Sequence, residues 1–187
     1  TSNGGVWQPG DVIQAAIGQS DNAFTPLQLA TYCATIANNG TRLKTHLVKQ
    51  VTNYNRDQVI SETEPEVVAQ VDISEENLKT VQEAMKGVTQ SGGTANSVFG
   101  DYGITIAAKT GTAENPGHSD NVTFIAYAPY DDPEIAVAVV LEYGSRGTYA
   151  MNVAKDIFDA YFYGKTVDEN GNLVMPEDTN SSGTANE

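Results

Sequence analysis

An α+β protein, with an antiparallel sheet flanked by helices, is expected from three features of these 187 residues. Two apolar runs, "NVTFIAYAP" and "EIAVAVVLEY", are joined only by Tyr130-Asp131-Asp132-Pro133, a link too short for anything but antiparallel neighbours. Both runs are apolar at nearly every position, so both faces of their sheet need cover. Segments with helical spacing and capping residues stand before and after them to supply it.

Residues 1 to 24 read as loop around a short apolar segment, "DVIQAAIGQ". "TPLQ" is a capping box, with Thr25 as N-cap, Pro26 at the first helical position and Gln28 reaching back. The helix continues through "LQLATYCATIANNG", with Leu29, Cys33, Ile36 and Ala37 on one stripe and Asn39-Gly40 as the stop. "HLVKQVTNYNRDQVI" predicts a hairpin turning at "TNYNRD". A second helix starts at Ser74, where Glu75 and Glu76 suit the positive end of the dipole. Its buried stripe is Leu78, Val81, Met85 and Val88, and Ser91-Gly92-Gly93 follows as a loop. Strands are expected at about 103 to 112, 121 to 129 and 134 to 143. A last helix, about 149 to 163, places Val153, Ile157 and Tyr161 on its stripe with Ala154 and Phe158 beside it. From Gly164 to residue 187 the chain is polar and acidic, and disorder is expected.

A formal net charge of −14 and the lack of any basic stripe exclude nucleic acid as a partner. Cys33 is the only cysteine, so there is no internal disulfide, and its place on a helical apolar face marks a buried structural thiol. His46 and His118 lie far apart without spaced carboxylate partners, so neither a metal nor another cofactor is expected. No stretch reaches the ~20 apolar residues of a membrane span, and the start, "TSNGGVWQPG", lacks the pattern of a signal peptide. It reads as a loop, so the chain is expected to be a piece of a longer protein.

The chemistry sits in "GITIAAKTGTAENPG", residues 103 to 117, where Lys109 interrupts an apolar run. An unpaired buried ammonium is costly, so Lys109 is expected to face a substrate groove. There it supplies fixed positive charge, and Thr110 and Thr112 supply hydroxyl donors for a carboxylate. Gly111 lets a ligand backbone approach, and a backbone N–H beyond it can meet a developing oxyanion. An extended peptide would lie along this strand as an added strand. Alternation puts Lys109 and Gly111 on one face and Thr110 and Thr112 on the other, so one ligand served by all four must meet the strand edge-on or at a twist. The bland alternative is a solvated strand-end lysine running into a glycine turn.

Lys109-Thr110-Gly111 matches the third motif of penicillin-binding proteins and serine β-lactamases. With it, "IGQSDNAFTPLQLATYCATIANNGTRLKTHLV", "MKGVTQSGGTA", "AAKTGTAE" and "NVTFIAYAPYDDPEIAVAVVLE" follow one another in the order of that family. Over about residues 10 to 163 the chain resembles the C-terminal half of a class B penicillin-binding protein transpeptidase domain of the elongation type. The resemblance implies a partial serine-transpeptidase domain over residues 1–163, without the Ser-x-x-Lys and Ser-x-Asn half, and a tail over 164–187. It implies acyl transfer: a serine attacks the penultimate D-Ala carbonyl of a peptidoglycan stem peptide, releases the terminal D-Ala and passes the acyl group to a neighbouring amine. Lys109, Thr110, Gly111 and Thr112 then bind substrate, Lys109 also supports proton transfer, and the Thr112 N–H forms half of the oxyanion hole. The implied partners are stem peptides, β-lactam antibiotics, the missing N-terminal half of the domain and the cell-elongation machinery. The implied location is the extracytoplasmic face of the bacterial plasma membrane, held by an N-terminal anchor outside this chain. A β-lactam-sensing receptor domain, a D,D-carboxypeptidase and a β-lactamase are the alternatives on the same fold.

No Ser-x-x-Lys occurs in the chain, so the nucleophile is expected from the missing part. Ser20-Asp21-Asn22 and Ser119-Asp120-Asn121 mimic the second motif but stand in the wrong places, and Asx-rich turns account for both. His118 is a loop residue for which the family has no catalytic use.

Overall fold

The computed structural model describes residues 6–19, 22–115 and 117–176. The segment expected to be an apolar stretch within a loop forms helix α1 (Pro9–Ala16), where Gln8 N–H donates to the Asp11 carboxylate at 2.7 Å. Helix α2 (Pro26–Ala37) begins on the predicted box: Gln28 N–H donates to Thr25 Oγ1 at 3.2 Å, and Thr25 N–H to Gln28 Oε1 at 2.8 Å. Asn39 and Gly40, at φ 49° and 83°, turn the chain out of it.

Four short strands follow: β1 (Thr41–Leu43), β2 (Gln50–Thr52), β3 (Val59–Glu62) and β4 (Val67–Gln70). The expected hairpin is β2 with β3, closed by Asn53, whose carbonyl side chain accepts the N–H groups of Asp57 and Gln58. The antiparallel pairing of β1 with β4 was not foreseen.

Helix α3 (Glu75–Gly87) is capped as predicted, Asn77 N–H donating to Ser74 Oγ at 3.2 Å. Leu78 and Met85 of its stripe are buried, but Val81 is exposed. A four-residue helix, α4 (Asn96–Phe99), precedes the main sheet. That sheet consists of β5 (Ala107–Ala113), β6 (Asn121–Ala128) and β7 (Ile135–Leu141), all antiparallel in the order β5-β6-β7.

The central strand shows why these runs are apolar at nearly every position. Val122, Phe124, Ala126 and Ala128 of β6 pack with Phe99 of α4 and with Ala150, Met151, Ala154 and Phe158 of α5 (Gly147–Tyr163). Ile125 and Tyr127 point the other way, into Cys33 and Ile36 of α2 and Leu78 and Met85 of α3. Burial of an aromatic such as Phe124, stacked on Phe99 at 5.6 Å, contributes on the order of 2–3 kcal/mol. Burial also pushes the Cys33 thiol up to about 12, which leaves it inert and fits its structural reading.

The predicted stripe of α5 is one position off. Val153, Ile157 and Tyr161 are 42%, 38% and 51% exposed, while Ala150, Met151, Ala154 and Phe158 are buried. The two stripes share the same spacing, and the small Ala150 and Ala154 lead the stripe that meets the sheet.

Gly164, at φ 66°, ends α5 in the left-handed region. Beyond it the expected disorder does not hold at once: β8 (Thr166–Val167) pairs with β9 (Leu173–Val174), and Asp168 closes the turn. Residues 177–187 lie outside the described residues.

Asp159, buried on α5, joins this hairpin to the run into β5. It accepts from Lys155 Nζ at 2.8 Å, Lys165 Nζ at 2.7 Å and Tyr102 Oη at 2.9 Å. Burial alone would push its carboxyl up. The hydrogen bonds from both lysines and Tyr102, and the Lys155 charge, outweigh burial and hold it below the usual carboxylate range. Asp159→Asn is expected to cost about 2 kcal/mol at neutral pH, since it leaves two partly covered ammonium groups without their counterion. A depressed folded pKa makes this contribution complete above the ordinary carboxylate pKa of about 4. It is lost as pH falls through the lower folded value. Thermal melts of both proteins across that range check it; the gap between them should close towards acid.

Candidate functional site

β5 carries the whole Lys-Thr-Gly-Thr run and is an outer strand. Lys109, Thr110, Gly111 and Thr112 stand opposite Ile125, Phe124, Thr123 and Val122 of β6. Lys109 and Gly111 therefore share the α2–α3 face, and Thr110 and Thr112 the α4–α5 face. All four are reached together only from the free edge of β5, which no strand covers among the described residues. The edge-on approach that the alternation demanded is thus available. A peptide laid on that edge would take up the unpaired backbone groups as an added strand.

The apolar run explains the placement. Ala107 and Ala108 are fully buried and anchor β5 in both clusters, so the strand emerges from the core at position 109. Lys109 and Thr112 are exposed, and Thr110 and Gly111 half-buried. The ammonium avoids a desolvation penalty and donates back to the carbonyl oxygen of Thr110. A Cβ at Gly111 would lie 3.4 Å from Thr123 Cβ, an ordinary contact. Packing on β6 therefore does not demand glycine here.

Neither of two cavities in the structure is the groove expected beside Lys109. A cavity of about 660 Å³ lies at the β7 side of the sheet, between α2, β1 and the Asp131–Glu134 turn. A second, of about 420 Å³, lies between Thr89–Ser91, the end of α4 and Ile104–Ile106. Residues 109 to 112 line neither.

Sequence reasoning missed Thr94. Its Oγ1 lies 3.1 Å from Thr110 Oγ1, across the loop that follows α3. A hydroxyl pair between residues 16 apart has no periodic or motif signal; Ser91-Gly92-Gly93 marks only a flexible loop there.

The decoys are structural where they are described. The Asp120 carbonyl accepts from Ser145 N–H at 3.2 Å, and Asn121 Oδ1 accepts from Tyr143 N–H at 2.9 Å. These bonds tie the β5–β6 loop to the β7–α5 loop. His118 sits in the same loop with its ring 5.0 Å from that of Tyr143. Ser20 and Asp21 lie outside the described residues, while Asn22 Nδ2 donates to the carbonyls of Ala15 and Gln19 at the end of α1.

Comparison with known proteins gives a consistent picture. A family model described as the penicillin binding protein transpeptidase domain matches residues 1–162. Penicillin-binding protein 2A of Bacillus subtilis is 37% identical, the match covering 82% of this chain and 24% of that protein. The peptidoglycan D,D-transpeptidase MrdA of Haemophilus influenzae is 30% identical over 83% of this chain and 26% of its own length. The solved imipenem acyl-enzyme complex of penicillin-binding protein A from M. tuberculosis superposes with a TM-score of 0.68 at 31% identity, covering 80% of this chain and 33% of that one. The chain thus spans about a quarter of the length of the curated relatives it matches.

Proposed function

Since the chain belongs to the penicillin-binding protein transpeptidase family, we propose that it is the C-terminal part of the catalytic domain of a class B peptidoglycan D,D-transpeptidase. Residues 1–163 belong to that domain, and the nucleophilic serine comes from a part of the protein outside this chain. The observation that carries the proposal is the placing of Lys109, Thr110, Gly111 and Thr112 on the free edge of an outer strand, where a peptide ending in a carboxylate can lie.

The serine oxygen attacks the penultimate D-Ala carbonyl of a stem peptide and gives up its proton. The Thr112 N–H is one of the two donors that hold the resulting oxyanion. The carbon–nitrogen bond then breaks, the leaving D-Ala amine takes a proton, and an ester to serine remains. A second stem supplies an amine that displaces serine and forms the cross-link. Until the D-Ala leaves, the Thr110 and Thr112 hydroxyls and the Lys109 charge hold its terminal carboxylate. Lys109 also biases the proton network near the serine. A β-lactam presents a carboxylate and a strained amide in the same frame, and its ester stays on the enzyme; a relative trapped as an imipenem acyl-enzyme supports this part. The reaction belongs on the extracytoplasmic face of the plasma membrane. The family likeness supports an elongation role, with the cell-elongation machinery as a partner.

The test is covalent labelling. The 187-residue chain alone is expected to take up no fluorescent penicillin, whereas the full-length protein labels at one serine outside it. Labelling of the chain alone would place the nucleophile within it and overturn the assignment.

A further inference from the structure

Thr94 brings a third hydroxyl to the strand edge, beside those of Thr110 and Thr112, and the loop that carries it is built to hold it there. Gly93 N–H donates to the Gln90 carbonyl at 2.8 Å and Ala95 N–H to the Val88 carbonyl at 2.9 Å. Asn96 Nδ2 adds a bond to the Thr89 carbonyl at 3.2 Å, and the Ala95 side chain is fully buried. Thr94 is thus fixed on both sides while its own side chain remains exposed, and its one side-chain partner is Thr110.

A threonine hydroxyl has a single proton. In the free protein either hydroxyl of the pair can donate to the other. A carboxylate only accepts, so Thr110 must spend its proton on the ligand, and its oxygen then needs a donor. We infer that Thr94 is a positioning residue: it donates to Thr110 Oγ1 and so aims the Thr110 proton at the carboxylate of the ligand. Thr94 to Thr110 to carboxylate forms a chain of two hydrogen bonds in one direction, each polarising the next. The inference rests on the carboxylate-binding role proposed above for Thr110.

The experiment uses the full-length protein and two probes, a fluorescent penicillin and its methyl ester, which lacks the anionic carboxylate. The readout is the ratio of their acylation rates. Thr94→Val is expected to lower the acid-to-ester ratio by about 10-fold, the scale of one hydrogen bond. Thr94→Ser should restore it, and Thr94→Val combined with Thr110→Val should lose no more than Thr110→Val alone. A Thr94→Val protein that slows both probes equally would show a merely structural role and overturn the inference. So would an unchanged ratio in Thr94→Val where Thr110→Val lowers it, and the role of Thr110 would then survive. If Thr110→Val leaves the ratio unchanged, the role of Thr110 itself falls, and that of Thr94 with it.

Discussion

Lys109→Ala in the full-length protein is expected to slow acylation by fluorescent penicillin by about 100-fold or more, the scale seen when a preorganised electrostatic contact is removed from an active site. Stability should hardly move, within about 0.5 kcal/mol, because the side chain is exposed and its one bond is to the Thr110 carbonyl. That separation makes the test clean. Stopped-flow acylation and a thermal melt of the same sample read the two quantities. A rate equal to that of the parent would remove Lys109 from the reaction. Lys109→Arg is not a neutral control, since a planar fork does not reproduce a compact ammonium beside a strand.

Gly93→Ala should be the most damaging single-methyl change in the loop ahead of β5. A Cβ there would stand 2.2 Å from the Val88 carbonyl oxygen and 2.3 Å from that of Gly87. Both are backbone atoms of the turn that ends α3, so no side chain can swing away. A loss of about 3 kcal/mol or more is expected, at or beyond the upper end of overpacking costs. Gly92→Ala is the internal comparison. Gly92 has φ 83° with open space around it, so alanine meets only the left-handed backbone penalty of about 1–2 kcal/mol. Denaturant unfolding of the two variants should rank them in that order. Equal losses would mean that the turn relaxes around the new methyl.

The parts of this fold that were legible in the sequence are those written locally. The Thr25 and Ser74 caps need only residues within one helical turn, and both form as the spacing predicted. The β6–β7 pair was readable because a four-residue turn leaves one geometry, and continuous apolar runs imply cover on both faces. The β1–β4 pairing was not readable, because it joins three- and four-residue strands with a second ribbon lying between them. On α5, hydrophobicity favoured Val153 and Ile157, whereas the close approach of helix to sheet favoured Ala150 and Ala154, a choice only the partner surface makes. The C-terminal hairpin buries little apolar surface, with Val167 66% and Val174 38% exposed; an ion pair from Lys165 to a carboxylate on another element ties it on. At the site, the motif strand was plain and its hydroxyl neighbour was not, since Thr94 reaches Thr110 only through tertiary folding.

The free rim of β5 has a second side to it. Among the described residues no strand pairs with it, and a row of unpaired backbone groups that could take a peptide could equally take the same rim of another molecule; unguarded strand edges zip together into aggregates. A charged lysine in mid-edge is a common guard against this, and Lys109 occupies that position. On the role proposed for it, the ammonium that would draw a carboxylate in would also keep sister chains apart, so solubility and substrate capture would draw on one side chain.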